Sequence, residues 1–191
     1  MKKQTINLMR GLVLIPFLSL GSPLAMIHSN LALFGNGGPN VATVSGVVDD
    51  QAEAKKALLD ERAQKIDAYF ADRDMPLAGY GAKLVKVAEK YDLDWRLLPA
   101  IAIKESTGGK FACGNNPFGW GSCKIKFKNF DAAIETVGRN LGGANPATEQ
   151  YYKDATTEQK LHQYNGTVVP TYTASVLKFM DLIEQVDVGA A

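Results

Sequence analysis

Glu105 is the carboxylate whose setting best suits proton transfer. It ends the run Trp95-Arg96-Leu97-Leu98-Pro99-Ala100-Ile101-Ala102-Ile103-Lys104-Glu105-Ser106. At helical spacing it shares a face with Ile101 and Leu98. Partial burial disfavours its charged form, and so does the negative end of a helix dipole. The group would keep its proton nearer neutral pH, as a general acid must. The plain structural alternative is a helix-end glutamate paired with Lys104 or Lys110.

The second chemically dense stretch is Cys113-Gly114-Asn115-Asn116-Pro117-Phe118-Gly119-Trp120-Gly121-Ser122-Cys123. Aromatic faces such as Trp120 pack on the C–H surfaces of sugar rings. Carboxamides such as Asn116 exchange hydrogen bonds with hydroxyl or acetamido groups, and glycines allow close backbone approach. Phe118 and Trp120 could instead plug the core beneath a surface turn, and one of the two rings can do that. The third stretch, Gln163-Tyr164-Asn165-Gly166, carries a phenol and a carboxamide at a helix end; taken alone it reads as a turn.

Cys113 and Cys123 bracket one short loop, and a disulfide is their expected state in an oxidising compartment. Closing a loop of this length restricts the unfolded chain by about 3 kcal/mol in the entropic picture. A zinc site is the weaker reading, because no third Cys is present and His28 and His162 are far away in sequence. A thiol nucleophile working with His162 is a further alternative.

Helices must position these groups. Pro99 sits early in the Glu105 helix, where a missing N–H is tolerated, and Ser106-Thr107-Gly108-Gly109 ends it. A preceding helix is expected over about 82–90, presenting Leu84, Val87, Ala88 and Tyr91, with Asp94 placed to cap or precede the next one. Residues 131–141 and 172–186 carry helical periodicity. Residues 156–162 form a shorter candidate closed by Asn165-Gly166. No strand pattern of comparable strength is present, so the fold class is mainly α.

Towards the N-terminus, residues 51–74 read as an amphipathic helical extension. Ala54, Leu58, Ala63, Ile66, Tyr69 and Phe70 recur near a 3.6-residue period there. Residues 35–50 read as a flexible linker, opened by Gly-Asn-Gly-Gly-Pro-Asn and continuing as extended chain. Lys2, Lys3 and Arg10 precede an uncharged apolar run, so residues 1–34 have the layout of a signal peptide or an N-terminal membrane anchor. Export is therefore expected, with membrane association through residues 11–34 left open.

The 191 residues carry 21 Lys+Arg against 20 Asp+Glu, spread along the chain. That balance argues against a nucleic-acid partner. The hydrophobic fraction of 46% supports an ordinary buried core. No cofactor and no metal is implied, and a monomer is expected.

In order and content the three motifs resemble the lysozyme-like superfamily, in particular the lytic transglycosylases and bacterial glucosaminidases. Ile101-Ala102-Ile103-Lys104-Glu105-Ser106 is similar to that family's acid-bearing helix. The segment 115–121 is similar to its glycine-rich loop, and Tyr164-Asn165-Gly166 to its Tyr-Asn cleft segment. The resemblance covers about residues 77–186. It departs where Phe118-Gly119-Trp120-Gly121 replaces the Gly-Leu-Met-Gln usual in transglycosylases, a form closer to the glucosaminidases.

The resemblance implies a lysozyme-like catalytic domain over 75–188, with a disulfide-pinned loop across a glycan cleft. Its partner would be the glycan strands of peptidoglycan, and its activity the cleavage of their β-1,4 bonds. Glu105 would be the catalytic acid and Ser106 would orient its carboxyl. Trp120 with Asn116 would line a subsite, Phe118 and Ser106 would add substrate contacts, and Tyr164 and Asn165 would hold the acetamido group or sugar hydroxyls. A retaining hydrolase needs a nucleophile about 5–5.5 Å from the acid and an inverting one a base roughly 6.5–9.5 Å away. Asp131, Glu135, Asp154 and Asp181 are available, but sequence spacing brings none of them to the cleft. The alternative is an inactive peptidoglycan-binding module of the envelope.

Overall fold

A computed structural model describes residues 42–189, with side chains described from Asp50 onward. The expectations for the export segment and for the linker up to residue 41 lie outside the described residues. The described chain is mainly helical, with no strand. Its elements are α1 (Ala42–Ala71), α2 (Gly81–Lys90), α3 (Leu97–Ser106), α4 (Phe130–Leu141), α5 (Glu149–Tyr152), α6 (Thr157–Leu161), a π-turn (His162–Gly166) and α7 (Tyr172–Glu184).

Helix α3 is central because it is apolar all round. Leu97 through Ile103 and Ser106 are all buried, so no face of it could lie on the surface at acceptable cost. Helix α7 covers one side with Tyr172, Val176, Met180 and Ile183. Their spacing of four, four and three residues makes a single stripe. Helix α2 buries Leu84, Val85, Val87 and Ala88, and packs on both α1 and α4. Between α2 and α4, Glu135 accepts hydrogen bonds from Lys83, Lys90 and the Tyr91 hydroxyl.

The end of α3 is a tight reversal. Thr107 is left-handed at φ 54°, and the Gly108 N–H reaches back to the Ala102 carbonyl at 3.0 Å, a Schellman-type closure. Gly108 also has φ +62°, and a Cβ there would meet the Met75 sulfur at 2.6 Å. Glycine is needed on both counts.

The linker boundary needs correction. Residues 42–50 are the first turns of α1 rather than extended chain. Once a helix is nucleated downstream, each added residue gains a hydrogen bond without a new nucleation cost. Local β-branched content at Val41, Thr43 and Val44 is too weak to oppose that. The 51–74 extension also divides in two. Ala54 and Leu58 are exposed, whereas Ile66, Tyr69 and Phe70 are buried in the same core as α3. The second half of α1 is therefore part of the domain. It is locked there by Asp67, whose Oδ1 accepts from the Gly79 and Gly81 N–H groups at 2.8 Å each.

The other helices start or stop within two residues of expectation. Helix α4 gains an N-cap, the Asn129 carboxamide oxygen on Ala132 N–H, and α6 gains a Thr156/Gln159 capping box. Helix α5, a single turn, lay below any sequence signal.

Because Ile101 is fully buried at the centre of α3, Ile101→Ala should lower the unfolding free energy by about 2–5 kcal/mol. Urea titration followed by circular dichroism reads this directly; a loss under about 1 kcal/mol would place α3 outside the cooperative core.

Candidate functional site

The end of α3, the loop after it and the π-turn converge on one cleft of about 430 Å³. Among the described residues Glu105 is its only carboxylate. Gly119, Trp120, Gly121 and Ser122 form one wall, and Tyr164 and Asn165 form the other. A larger hollow of about 620 Å³ lies between α1 and residues 184–189, but it is lined by ion-paired groups such as Lys65 and Glu184 and by no aromatic ring.

Glu105 is half-buried, and burial pushes its carboxyl above the usual carboxylate range. A hydrogen bond from Tyr172 and the nearby Lys104 charge pull in the opposite direction without cancelling that effect. The Tyr172 hydroxyl donates to Oε1 at 2.7 Å. Tyr172 is 1% exposed, and burial together with the Glu105 charge holds its phenol protonated far above its ordinary value. It is therefore a fixed donor at every accessible pH. The other oxygen, Oε2, faces Gly119: a Cβ built there would stand 2.8 Å from it. Gly119 also has φ +62°, so both the backbone conformation and the open space in front of the acid require glycine.

Four aromatic rings run away from the acid. Tyr172 stacks on Tyr164 at 6.0 Å with an interplanar angle of 9°. Tyr164 packs against Trp120 at 5.6 Å, and Trp120 against Tyr152 at 6.4 Å. Tyr164 donates to the Phe118 carbonyl at 2.6 Å, which ties the π-turn to the loop. The π-turn is wider than an α-turn, as the Thr167 N–H bond to the His162 carbonyl shows. It places Tyr164 and Asn165 at the cleft together. No side-chain hydrogen bond engages the Asn165 carboxamide among the described residues, so it is available to a ligand.

Three of the residues assigned to substrate contact do other work. Ser106 is buried and does not touch the Glu105 carboxyl. Its hydroxyl donates to the Pro117 carbonyl at 2.6 Å and accepts from the Gly109 N–H at 3.0 Å, fastening the loop to the helix. Asn116 is 1% exposed. Its side chain accepts from Trp120 N–H and donates to the Trp120 and Ile125 carbonyls, so its bonding capacity is used in folding the loop. Phe118 is fully buried and plugs the core, leaving Trp120 as the ring that faces the cleft. Helix geometry explains the first correction: the residue after Glu105 points about 100° away from it.

Cys113 and Cys123 form a disulfide, with Cα atoms 5.7 Å apart. Neither sulfur is a thiol, which removes the cysteine-nucleophile alternative. Asn115 adds a further tie that the sequence did not flag, donating to the Phe127 and Lys128 carbonyls.

None of the candidate second carboxylates lines the cleft. Glu135 is held by Lys90, Tyr91 and Lys83, which lower its carboxyl to about 2. Asp131, Asp154 and Asp181 are exposed elsewhere. Sequence reasoning also missed Tyr172. It was visible only as the first residue of an amphipathic helix, 67 positions from the acid it touches. Comparison with known proteins gives no match: no family model, curated protein or solved structure corresponds to this chain.

Because the folded protein raises the Glu105 pKa, the unfolded chain ionises this group first as pH rises. Folding stability is therefore lost through that window and does not return above it. Glu105→Gln should melt at a higher temperature than the parent at pH 7, with the gap closing towards pH 4. Thermal melts across pH check this; a variant less stable at pH 7 than at pH 4 relative to the parent would contradict the direction of the shift.

Proposed function

We propose that this protein cleaves the β-1,4 glycosidic bonds of bacterial peptidoglycan, with Glu105 as the single acid/base in a lysozyme-like cleft. The observation that carries this reading is one half-buried carboxyl with a raised pKa. It is oriented through Oε1 by a permanently protonated phenol and faces an open, aromatic-lined groove through Oε2. The mainly α fold and the order of the three motifs support the family resemblance. The disulfide suits an exported protein of the cell envelope.

The chemistry follows from the lone carboxyl. Protonated Glu105 donates through Oε2 to the glycosidic oxygen as the C1–O bond breaks. The substrate's own acetamido oxygen closes on C1 and takes up the developing positive charge, so no protein nucleophile is required. The Asn165 carboxamide is placed to hold that acetamido group, and Trp120 offers a face for a neighbouring sugar ring. Glu105, now a carboxylate, removes a proton from the next nucleophile as that oxygen attacks C1 and the bond from C1 to the acetamido oxygen breaks, which restores the neutral acetamido group. If the nucleophile is the sugar's 6-hydroxyl, the product is a 1,6-anhydro end; if it is water, the product is a reducing end. Both routes restore protonated Glu105. Tyr172 keeps one oxygen engaged throughout and acts as a positioning residue.

Digestion of purified peptidoglycan, with mass spectrometry of the released muropeptides, tests the proposal. The parent should release product, and Glu105→Gln should lose about a hundredfold or more of the rate. Tyr172→Phe should retain part of the activity, with its pH profile displaced upwards because the bond that stabilised the carboxylate is gone. Anhydro ends would assign a lytic transglycosylase and reducing ends a hydrolase. Binding without release by the parent would replace the enzyme with a glycan-binding module.

A further inference from the structure

The charge of this protein is distributed unevenly in a way its net value of +1 conceals. Between positions 104 and 128 stand Lys104, Lys110, Lys124, Lys126 and Lys128 against a single acid, Glu105, so the rest of the chain is net negative. All five ammonium groups are on exposed residues, and none of them enters an ion pair among the described residues. Elsewhere most cations are paired: among the described residues Lys55, Lys56, Arg62, Lys65, Arg73, Lys83, Lys90, Arg96 and Lys153 all meet carboxylates, while Lys86, Arg139, Lys160 and Lys178, scattered along the chain, do not. An ordinary solvated surface mixes the two signs, as α1, α2 and α4 do.

Lys124, Lys126 and Lys128 also share one structural unit, and Lys110 stands three residues before it. The disulfide joins Cys113 to Cys123, and Asn115 ties its loop to the Phe127 and Lys128 carbonyls. Lys126 lies against Gly114. This is the unit whose Trp120, Gly121 and Ser122 form a wall of the Glu105 cleft. Lys124 follows that wall two residues later, and Lys104 precedes the acid.

We infer that the lysine-bearing loop unit is a docking surface for negative charge carried along the glycan, so that the protein selects amino-sugar strands bearing acidic substituents, such as peptide stems, over neutral strands of chitin type. This rests on the proposed glycan cleft and names its substrate class. Unpaired charges beside a cleft raise the local concentration of an oppositely charged polymer and its rate of arrival. A carboxylate on a substituent reaches the lysines while the sugar backbone occupies the groove. Phe111, 75% exposed, and Ile125, 42% exposed, stand among them. An anionic lipid surface is therefore the competing occupant. Continuity with the cleft wall favours the strand.

The test uses the Glu105→Gln protein, so that binding is read without cleavage. It is sedimented with peptidoglycan sacculi at about 0.1 M and about 1 M salt, where the Debye length falls from about 10 Å to about 3 Å. Affinity should drop about tenfold or more across that range. A further variant carrying Lys110→Gln, Lys124→Gln, Lys126→Gln and Lys128→Gln should already bind that weakly at the lower salt, and the matching four-arginine variant should bind like the parent. Chitin oligosaccharides should bind all three proteins alike. Unchanged binding of sacculi by the glutamine variant overturns the inference, as does an equal loss on chitin. Lysine-dependent binding to phosphatidylglycerol vesicles, with lysine-independent binding to sacculi, overturns it in favour of the membrane. Lysine-dependent binding by a protein whose parent cuts nothing leaves this docking surface standing and removes only the proposed catalysis.

Discussion

A carboxyl group half-buried at the end of an apolar helix is the constraint around which the domain is arranged. Left alone, Glu105 would either destabilise the fold by ionising in poor solvent or be neutralised by a neighbouring lysine. Its ionisation does cost stability, but no lysine forms an ion pair with it among the described residues. A tyrosine from α7 satisfies one oxygen, and the second oxygen faces open space that Gly119 keeps clear. The packing of α7 on α3 thus contributes to the core and completes the site at once.

The loop opposite the acid is held from four directions: the disulfide, the Ser106 hydroxyl, and the Asn115 and Asn116 carboxamides. Such redundancy is what a glycine-rich segment needs if it is to present one geometry, because glycine loses the most backbone freedom on ordering. The phenol of Tyr164 then joins loop to π-turn across the cleft floor. Each wall is therefore fastened to the other as well as to the core, and Trp120 is presented at a defined angle. A preorganised wall of this kind lowers the ordering cost of binding a ligand.

The separation of charge has the same economy. Glu135 gathers Lys83, Lys90 and Tyr91 between α2 and α4, where ion pairing serves packing. The cleft unit keeps Lys124, Lys126 and Lys128 free of ion pairs among the described residues.

How much of this was legible in advance follows from the range of each physical signal. Helical periodicity, the proline at a first turn and glycines at helix ends act within a few residues, so the sequence by itself determined the mainly α fold and the helices carrying Leu84, Glu105 and Val176. It also determined the disulfide between two cysteines ten residues apart. Nothing local marks a pairing between residues 105 and 172, and nothing local distinguishes an asparagine that folds a loop, such as Asn116, from one that faces a ligand, such as Asn165. Those assignments depend on which atoms are left unsatisfied once the helices have packed. Only the tertiary structure decided that Ser106, Asn116 and Phe118 face inwards while Trp120 and Asn165 face the cleft, because burial and hydrogen-bond satisfaction are properties of the assembled core.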